Sequence, residues 1–540
     1  MSEAGYQPFE VKRVPELSGA PPHRYRVAII GAGPIGLAAA IDLAQHDIPV
    51  VLLSDNNAVS TGSRAICWAK RTLDILDRLG VGERMVAKGV TWQTGRLFHG
   101  HDEVFNFDLL PDDGHKMPAF INLQQYHVEN FLVERAKEFS DLIDLRFSNR
   151  VVSHEADDSG VRLTIDTDDG AYEITADYVM ACDGAGSPTR KRMGLSFEGQ
   201  SFEERFLIAD IEMHEDPFPE AGRPERWFWF KPPFHEGQSA LLHKQPDNIY
   251  RIDLQLGPDA DPELEKQPDR VLPRIRQVVG DKPFKLDWVS VYRFRCARLK
   301  QFVHGRLLFV GDSAHVVSPF GARGGNGGIH DVDNLCWKLA AILKGTAAPT
   351  LLHSYEEERG HGADENIRHS AGATRFMSPV SEVERMYRDE VLDLAADLPF
   401  ARSLINSGRL STPCALTGMS LQTTDEESTD STDFKPASSV GCVAPDLPIN
   451  SEQWLLPLLG RAFVVLVVDA QTPADLGALP GVSVVSIKAS EVATRRYGKG
   501  VFLIRPDQHI AARWPADHAD VQAISRAMKQ ALGAGQGLAA

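Results

Sequence analysis

The chain has 540 residues, more than one compact hydrophobic core usually accommodates, so two or three domains are expected. Hydrophobic residues make up 43% and charged residues 24% of the sequence, as in an ordinary globular protein. The formal net charge is −17, which argues against nucleic acid or an anionic membrane as the main partner, because phosphate surfaces require clustered lysine and arginine.

The six cysteines are far apart and form no C-x-x-C pair, which disfavours a metal site or a redox dithiol. The first residues lack the apolar segment of a signal peptide. No uninterrupted apolar stretch reaches the ~20 residues that a membrane-spanning helix needs. These features predict a cytoplasmic protein that holds no metal.

The pattern along the chain changes several times and predicts six segments. From Tyr25, a β-run, the turn GAGPIG, a helix and a second β-run form one βαβ unit. A later stretch of short aromatic strands is expected to be a second domain inserted in the first, and a polar, acidic stretch to be a linker. The predicted segments are an extended or disordered arm at 1–24, the first part of an α/β domain at 25–196, a mixed sheet domain at 197–300, the second part of the α/β domain with a helical segment at 301–421, the linker at 422–439 and a small α/β domain at 440–540.

Gly31, Gly33 and Gly36 form a G-x-G-x-x-G motif directly between a β-run and a helix. The first glycine allows a tight turn, the second lets a pyrophosphate approach the backbone, and the third allows close packing of helix on strand. The second β-run should end in an acid that binds a ribose hydroxyl. That position holds Ser54, with Asp55 immediately after it, so either residue is a candidate.

Two further blocks follow buried β-runs. ACDGAGSPTR contains Asp183 and Gly184, and GDSAHVVSPFGARGGNGG contains Gly311 and Asp312. An acid where a buried strand ends can bind a polyol hydroxyl, although each aspartate alone is more typical of a helix cap or a turn. The glycine-rich loop would let backbone amides approach a flat ring, and the helix near Gly328 would direct its positive end toward that ring.

In this order and spacing, the three blocks resemble the flavoprotein aromatic hydroxylases with a single dinucleotide-binding domain, especially the 3-(3-hydroxyphenyl)propionate hydroxylase and phenol hydroxylase branch. The resemblance implies bound FAD and transient NADH or NADPH. It also implies transfer of one oxygen atom from dioxygen to a phenolic substrate through a flavin C4a-hydroperoxide, in aromatic compound degradation. The cofactor-binding residues that it implies are Gly31, Gly33, Gly36, Ser54 or Asp55, Arg64, Gln125, Asp183, Gly184, Gly311, Asp312, Gly325, Asn326 and Gly327, with Pro319 beside the reacting face of the flavin.

The resemblance also implies the fold. It is an α/β protein with a Rossmann-type FAD-binding domain of the aromatic hydroxylase type, an inserted mixed β-sheet substrate domain and a C-terminal thioredoxin-like domain. The segment GVFLIRPDQHIAARWP resembles the closing hairpin of that last domain. Because no C-x-x-C pair accompanies it, a packing or homodimer role is expected in place of redox chemistry.

The substrate pocket is expected in the aromatic-rich segment, because an oxygen-transferring flavin requires a closed, largely apolar cavity. His243 and Asp253 are candidate acceptors for a substrate hydroxyl, and His243 is equally compatible with a structural role. Arg251 resembles an active-site arginine of the phenol hydroxylases, whereas Asp253 stands where that family has tyrosine. The aromatic residues from which the wall would be drawn are Trp227, Phe228, Trp229, Phe230, Phe234, Tyr250, Trp288, Tyr292 and Phe294.

Two other functions are compatible with the first glycine block. The string WFWFKP matches the W-x-W-x-x-P pattern of flavin-dependent halogenases, but its position in an aromatic strand indicates coincidence. A flavin fold that serves only as a binding or scaffold protein is the other alternative. The substrate, the choice between NADH and NADPH, and the oligomeric state stay open.

Overall fold

The computed structural model describes residues 5–62, 64–110, 112–216, 224–235, 238–405, 412–424, 435–515 and 518–534. Residues 425–434 of the predicted linker, and residues 1–4 of the predicted arm, lie outside these ranges.

The strands, in chain order, are β1 (Arg24–Ile30), β2 (Val50–Leu53), β3 (Cys67–Ala69), β4 (Val90–Trp92), β5 (Thr94–His99), β6 (Asp102–Asp108), β7 (Phe120–Asn122), β8 (Ile143–Arg146), β9 (Arg150–Asp157), β10 (Gly160–Thr167), β11 (Gly170–Ala181), β12 (Glu198–Glu212), β13 (Arg226–Phe230), β14 (Ser239–Lys244), β15 (Ile249–Gln255), β16 (Lys285–Arg298), β17 (Val303–His304), β18 (Leu307–Phe309), β19 (His315–Val316), β20 (Phe463–Val468), β21 (Val482–Ile487), β22 (Gly500–Ile504) and β23 (Ile510–Trp514).

The helices are α1 (Pro34–Gln45), α2 (Lys70–Arg78), α3 (Gly82–Lys88), α4 (Gln125–Lys137), α5 (Pro188–Arg192), α6 (Pro262–Glu265), α7 (Pro268–Val279), α8 (Gly324–Leu343), α9 (Leu352–Met377), α10 (Glu382–Asp397), α11 (Pro399–Ile405), α12 (Glu491–Arg496) and α13 (Val521–Ala531).

The first sheet has eight strands, and five of them, in the order β18-β11-β1-β2-β8, run parallel. Both faces of these strands are buried, so their sequences are continuous apolar runs. Helices α1, α4 and α8 contribute to the core on one face, and β10 and the N-terminal arm contribute to the core on the other. This sheet is the predicted Rossmann-type domain.

The second sheet also has eight strands, in the order β19-β16-β12-β15-β14-β13-β5-β6. Strands β12 to β16 come from the predicted 197–300 segment, whereas β5, β6 and β19 come from outside it. One face packs on Val271 and Ile275 of α7. The opposite face packs on Phe320 from the loop that precedes α8, so the sheet lies against the first domain.

The C-terminal domain has a four-stranded sheet in the order β21-β20-β22-β23, with β20 and β21 parallel and the other pairs antiparallel. The turn between β22 and β23 is inserted into the first domain, where the backbone oxygen of Asp507 accepts a hydrogen bond from Arg71 of α2 at 2.9 Å. These three units confirm the predicted fold class. The boundaries of the six predicted segments stay a prediction.

The described part of the N-terminal arm packs on the first domain. The Phe9 ring stacks on Phe147 at a centroid distance of 4.6 Å, and the Val14 side chain is buried. None of the six cysteines forms a disulfide bond. Among the described residues, no helix has the length and hydrophobicity to cross a membrane, and no group of three His, Cys, Asp or Glu residues could hold a metal ion.

Candidate active site

The glycine turn after β1 includes one glycine that protein packing does not require. Gly31 has φ +104°, and a Cβ there would lie 2.6 Å from the backbone oxygen of Cys182. A Cβ on Gly36 would lie 1.9 Å from the backbone oxygen of Gly31. At Gly33, no described atom lies within 4 Å of the Cβ position. A pyrophosphate that approaches the backbone at the start of α1 would occupy this open space.

The two candidates for the ribose contact differ in exposure. Ser54 is buried, and its hydroxyl lies 3.4 Å from the Asn56 side-chain oxygen. Asp55 is exposed at the end of β2. Because a carboxylate open to solvent can accept from an external hydroxyl, the geometry favours Asp55, and both roles stay predictions.

The Gly311 turn brings the starts of two long helices together. A Cβ on Gly311 would lie 3.2 Å from the Ile35 side chain of α1 and 3.6 Å from the Gly328 Cα of α8. The next residue, Asp312, is exposed, yet the surrounding protein removes enough water to raise the pKa of its carboxyl group. An accessible but partly desolvated carboxylate is expected at the floor of a deep groove.

These features fit FAD. The open position at Gly33 leaves room for the pyrophosphate at the positive end of α1, and Asp312 is accessible to a ribityl hydroxyl near the start of α8. The individual contacts of Gly31, Gly36 and Gly311 with the cofactor stay predictions.

Asp183 is a predicted cofactor-binding residue, but its carboxylate already has hydrogen-bond donors within the protein. Its carboxylate accepts hydrogen bonds from the Ser187 hydroxyl at 2.5 Å and the Thr189 amide at 2.9 Å, so it caps the start of α5. Gly184 follows with φ +75° and an open Cβ position. Arg190 donates to the backbone oxygen of Ser313 at 3.0 Å and thereby ties this block to the Gly311 turn.

Arg64 lies between the cofactor groove and the second sheet. Its guanidinium is close enough to Asp312 to oppose the rise in the pKa of that carboxyl, and its backbone oxygen lies 3.5 Å from Nη1 of Arg251. The Gln125 side chain makes hydrogen bonds within the protein. Its oxygen accepts a hydrogen bond from the Ala65 amide at 3.2 Å, and its nitrogen donates one to Glu129 at 2.7 Å. Gln125 therefore holds the Arg64 loop, and both cofactor contacts stay predictions.

Pro319 is exposed at the edge of the groove, and the next residue anchors it to the second sheet. The Phe320 ring is buried and packs edge-on against Phe206 of β12 and Phe294 of β16, at centroid distances of 5.2 and 5.6 Å. The loop is therefore held between the cofactor groove and the second sheet, and the position of Pro319 beside the flavin stays a prediction.

The predicted cofactor-binding residues at the start of α8 also make contacts within the protein, and their contacts with the cofactor stay predictions. Asn326 is buried, accepts from the Ala69 amide at 3.0 Å and donates to the Cys67 oxygen at 3.0 Å, so it joins α8 to β3. A Cβ on Gly325 would meet Ala65 at 3.5 Å, and one on Gly327 would lie 3.2 Å from the side-chain nitrogen of Asn366.

Asp331 supports the Gly311 turn and was missed in the sequence. Its carboxylate accepts from the Gly311 amide at 3.0 Å, from Nε2 of His315 at 2.7 Å and from Nε of Arg359 at 2.7 Å. Burial alone would raise its pKa, but His315 and Arg359 lower it to about 2. An acid in the apolar helical sequence that follows the glycine-rich loop was the available signal.

Four charged or polar side chains form a row across the second sheet, facing the first domain. The register aligns Arg226 with His243, His243 with Arg251, and Arg251 with Asp210. Arg251 makes a bidentate pair with Asp210, with both distances at 2.8 Å. This pairing gives Arg251 an internal partner, and its predicted catalytic role stays a prediction.

His243 and Asp253 are brought together on this face. Nε2 of His243 lies 3.4 Å from the Asp253 carboxylate, and neither ring nitrogen makes a hydrogen bond within the described structure. Burial, and then the nearby Arg226 cation, lower the pKa of His243 to about 4, so the ring is neutral at pH 7. One oxygen of Asp253 also lacks a partner among the described residues. The pair can accept a proton or a hydrogen bond, and its catalytic role stays a prediction.

The predicted aromatic wall divides between the two faces of the sheet. On the α7 side, Trp227, Trp229, Phe234 and Tyr250 belong to the structural core. On the face toward the first domain are Phe228, Phe230, Tyr292 and Phe294. Trp288 packs near the Arg64 loop, because a Cβ on Gly62 would lie 2.3 Å from its ring.

Two family models match the chain. A model described as FAD binding domain matches residues 24–370, and one described as Aromatic-ring hydroxylase, C-terminal, matches residues 437–535. A solved structure of the flavin-dependent monooxygenase PieE, in complex with FAD and substrate, is 23% identical with a TM-score of 0.76 and covers 95% of this chain and 100% of that one. The rebeccamycin biosynthetic enzyme RebC with reduced flavin is 24% identical with a TM-score of 0.74 and the same coverage. Both establish the fold.

Curated relatives are more similar in sequence. The 3-(3-hydroxy-phenyl)propionate/3-hydroxycinnamic acid hydroxylase of Mycolicibacterium gilvum is 29% identical over 375 residues, which are 69% of this chain and 64% of that protein, slightly less than two thirds of its length. The 12-dehydrotetracycline 5-monooxygenase/anhydrotetracycline 6-monooxygenase of Streptomyces rimosus is 30% identical over 376 residues, which are 69% of this chain and 73% of that protein. The probable NADH-specific resorcinol 4-hydroxylase of Rhodococcus jostii is 31% identical over 62% of each chain. Since the FAD-binding model matches more than half of the sequence, the chain belongs to the FAD-dependent aromatic-ring hydroxylase family.

Proposed function

We propose that this chain is an FAD-dependent monooxygenase that hydroxylates a phenolic or other aromatic small molecule, with dioxygen as oxygen source and NADH or NADPH as electron donor. The observation that carries the proposal is the position of Arg64, between the accessible Asp312 and the polar sheet face at Arg251. A cofactor groove and a candidate substrate surface therefore adjoin. The hydroxylases among the relatives support the same reaction class.

The chain's residues would bind and orient the cofactor. The start of α1 and the open backbone at Gly33 would bind the pyrophosphate, Asp312 would accept from a ribityl hydroxyl, and α8 would direct its positive end toward the ring. FAD, when bound, would supply two-electron transfer from the nicotinamide donor and activation of dioxygen.

Substrate activation would fall to His243 and Asp253. A phenol reacts as a nucleophile, so its ring is more reactive when the hydroxyl donates a hydrogen bond or loses its proton. His243 is neutral at pH 7 and Asp253 has an oxygen without a partner among the described residues, so either can accept from that hydroxyl. Phe228 and Phe320 would limit water around the reacting ring.

The test is a panel of phenols assayed with the purified, FAD-loaded protein. We expect a yellow protein whose NADH or NADPH oxidation is stimulated by at least one phenol, with oxygen consumed in proportion to the hydroxylated product. Parallel assays with the two nicotinamides decide the donor. No stimulation by any phenol, or recovery of all reducing equivalents as hydrogen peroxide, would contradict the proposal.

The halogenase alternative has less support. Trp227 and Trp229 of the W-x-W-x-x-P string lie on β13 and pack in the core that includes α7, on the opposite side from His243. A product that requires chloride and free reduced flavin would nevertheless favour a halogenase.

A homodimer and a cytoplasmic location are also proposed. The location rests on the sequence alone. For the dimer, exposed apolar side chains on α10 and α11 support contact with a second copy, and they include Val383, Met386, Leu394 and Phe400. Sedimentation velocity should show a dimer in the wild type and a monomer in Met386→Glu, and a wild-type monomer at micromolar concentration would contradict it.

A further inference from the structure

Arg226 on β13 is a buried cation for which the described part of the chain provides no carboxylate partner. Its side chain is only 4% exposed, and within the described ranges no acidic oxygen lies within 4.0 Å of it. Its single hydrogen bond there is donated by Nη1 to the Cys67 sulfur at 3.7 Å, and its Nε donates none. The rings of Trp92 and Phe228 lie 5.6 and 4.8 Å from the guanidinium carbon.

The same row of the sheet provides a matched comparison. Arg251, two strands away, is equally buried, and both of its donated bonds to Asp210 are 2.8 Å long. His243 lies between the two arginines and cannot neutralise either, because it carries no negative charge in any form. Among the described residues, Arg251 therefore has a carboxylate that balances its charge, and Arg226 has none.

An uncompensated guanidinium is costly in this position. Arginine keeps its proton in proteins, and the removal of its charge from water carries a large desolvation penalty. Cation–π contacts with the two aromatic rings offset only part of that penalty. A bound anion would supply the missing charge, and a planar carboxylate matches the two-pronged geometry of the guanidinium best.

We propose that Arg226 binds the carboxylate of the substrate, so that the substrate is a hydroxylated aromatic acid and not a neutral phenol. The inference rests on the proposed function. The site lies on the sheet face that carries His243, and the next row holds the half-buried side chains of Phe228 and Asp253. One ligand could therefore place its carboxylate at Arg226 and its ring beside Phe228.

The experiment compares hydroxybenzoic acids with their methyl esters, which keep the ring and the hydroxyl but lose the charge. Binding to the FAD-loaded protein is followed by the change in flavin absorbance, and turnover by NADH or NADPH oxidation. We expect at least one acid to bind tenfold or more tightly than its ester. Arg226→Met should abolish this preference, because it should weaken binding of the acid and leave binding of the ester unchanged. Arg226→Lys should retain part of the preference. Arg150→Met, at an exposed ion pair, serves as the control.

The outcomes separate the two proposals. If esters and acids bind and react equally in the wild type, or if Arg226→Met weakens both alike, the carboxylate subsite is wrong while the monooxygenase function stands. If no phenol of either kind binds or stimulates oxidation, the proposed function itself fails. The wild-type comparison of acid with ester needs no variant, so equal binding of the two overturns the carboxylate subsite even if the Arg226→Met protein does not fold.

Discussion

Arg505 of the C-terminal domain and Glu358 of α9 form a fully buried bidentate ion pair, with nitrogen–oxygen distances of 2.5 and 2.9 Å. Glu358 also accepts from Lys338 at 2.6 Å, and Arg505 also donates to Asp507 at 3.0 Å. The next residue after Glu358 is Arg359, which holds Asp331 beneath the cofactor loop. The C-terminal domain is therefore part of the support of the cofactor groove.

We expect Arg505→Met to destabilise the protein by about 3–5 kcal/mol, because it leaves two buried carboxylates with less compensation. Thermal unfolding should show this loss. The control is Lys499→Met at the exposed pair of Lys499 with Asp469, where the change should stay within about 1 kcal/mol. Equal changes of the melting temperature in the two variants would show that the buried ion pair stabilises the protein no more than the exposed one.

Gly33→Ala and Gly36→Ala should separate cofactor binding from folding. A Cβ at Gly33 meets no described atom, so the apoprotein should keep its melting temperature while FAD affinity falls about tenfold or more. A Cβ at Gly36 would clash with the Gly31 oxygen and should cost about 1–3 kcal/mol of stability. Melting curves of the apoproteins and fluorescence titrations with FAD provide the two readouts. A normal FAD affinity in Gly33→Ala would contradict the assigned groove.

The sequence predicted the parts of the fold that local patterns encode. Glycine spacing and apolar β-runs predicted the first domain, and the resemblance of the segment GVFLIRPDQHIAARWP to a thioredoxin-like hairpin predicted the C-terminal one. It did not predict that β5 and β6 join the second sheet, because parallel pairing of β13 with β5 joins segments about 130 residues apart. Pairing over such distances leaves no local signal.

The candidate site was predictable to a similar degree. Asp312, His243 and Asp253 could be proposed from the sequence because acids and histidines at strand ends or in strands carry recognisable chemistry, and their roles stay predictions. Asp331 and Arg226 were missed, because their importance depends on which partners surround them. Asp331 accepts hydrogen bonds from three donors, whereas Arg226 has no carboxylate partner among the described residues. Neither fact can be read from one sequence.

His243 should make stability depend on pH. Its folded pKa of about 4 is below the ordinary value of 6.5, so the unfolded chain binds a proton first as the pH falls. The contribution of His243 to the free energy of unfolding is therefore constant above pH 6.5. As the pH falls from 6.5 toward 4, protonation of the unfolded chain lowers that free energy by about 3 kcal/mol. His243→Gln should show a shallower decline of melting temperature between pH 6.5 and 4.5. An identical slope in both proteins would indicate that His243 is not buried in the neutral form.

Asp331→Asn should weaken the support of the Gly311 turn. Above pH 4 the wild-type carboxylate is ionised and holds His315 and Arg359, so the variant should be less stable by about 3–5 kcal/mol at pH 7. Because the folded pKa is about 2 and the ordinary value is 3.8, about 2 kcal/mol of this advantage is lost as the pH falls from about 4 toward 2. Melting temperatures across pH 7 to 2, with FAD release followed by fluorescence, check the effect. A pH-independent difference would mean that packing, not charge, explains the loss.

Asp253→Asn tests substrate activation separately from cofactor chemistry. The amide keeps the size of the side chain but cannot take a proton, so hydroxylation should fall by about 10²–10⁴-fold if Asp253 accepts the substrate proton. Substrate binding and NADH or NADPH oxidation should persist, and the reducing equivalents should then appear as hydrogen peroxide. His243→Gln, measured in parallel, decides which member of the 3.4 Å pair is the acceptor. If both variants keep product and NADH oxidation in the wild-type ratio, neither side chain activates the ring, and reactivity must come from the substrate hydroxyl alone.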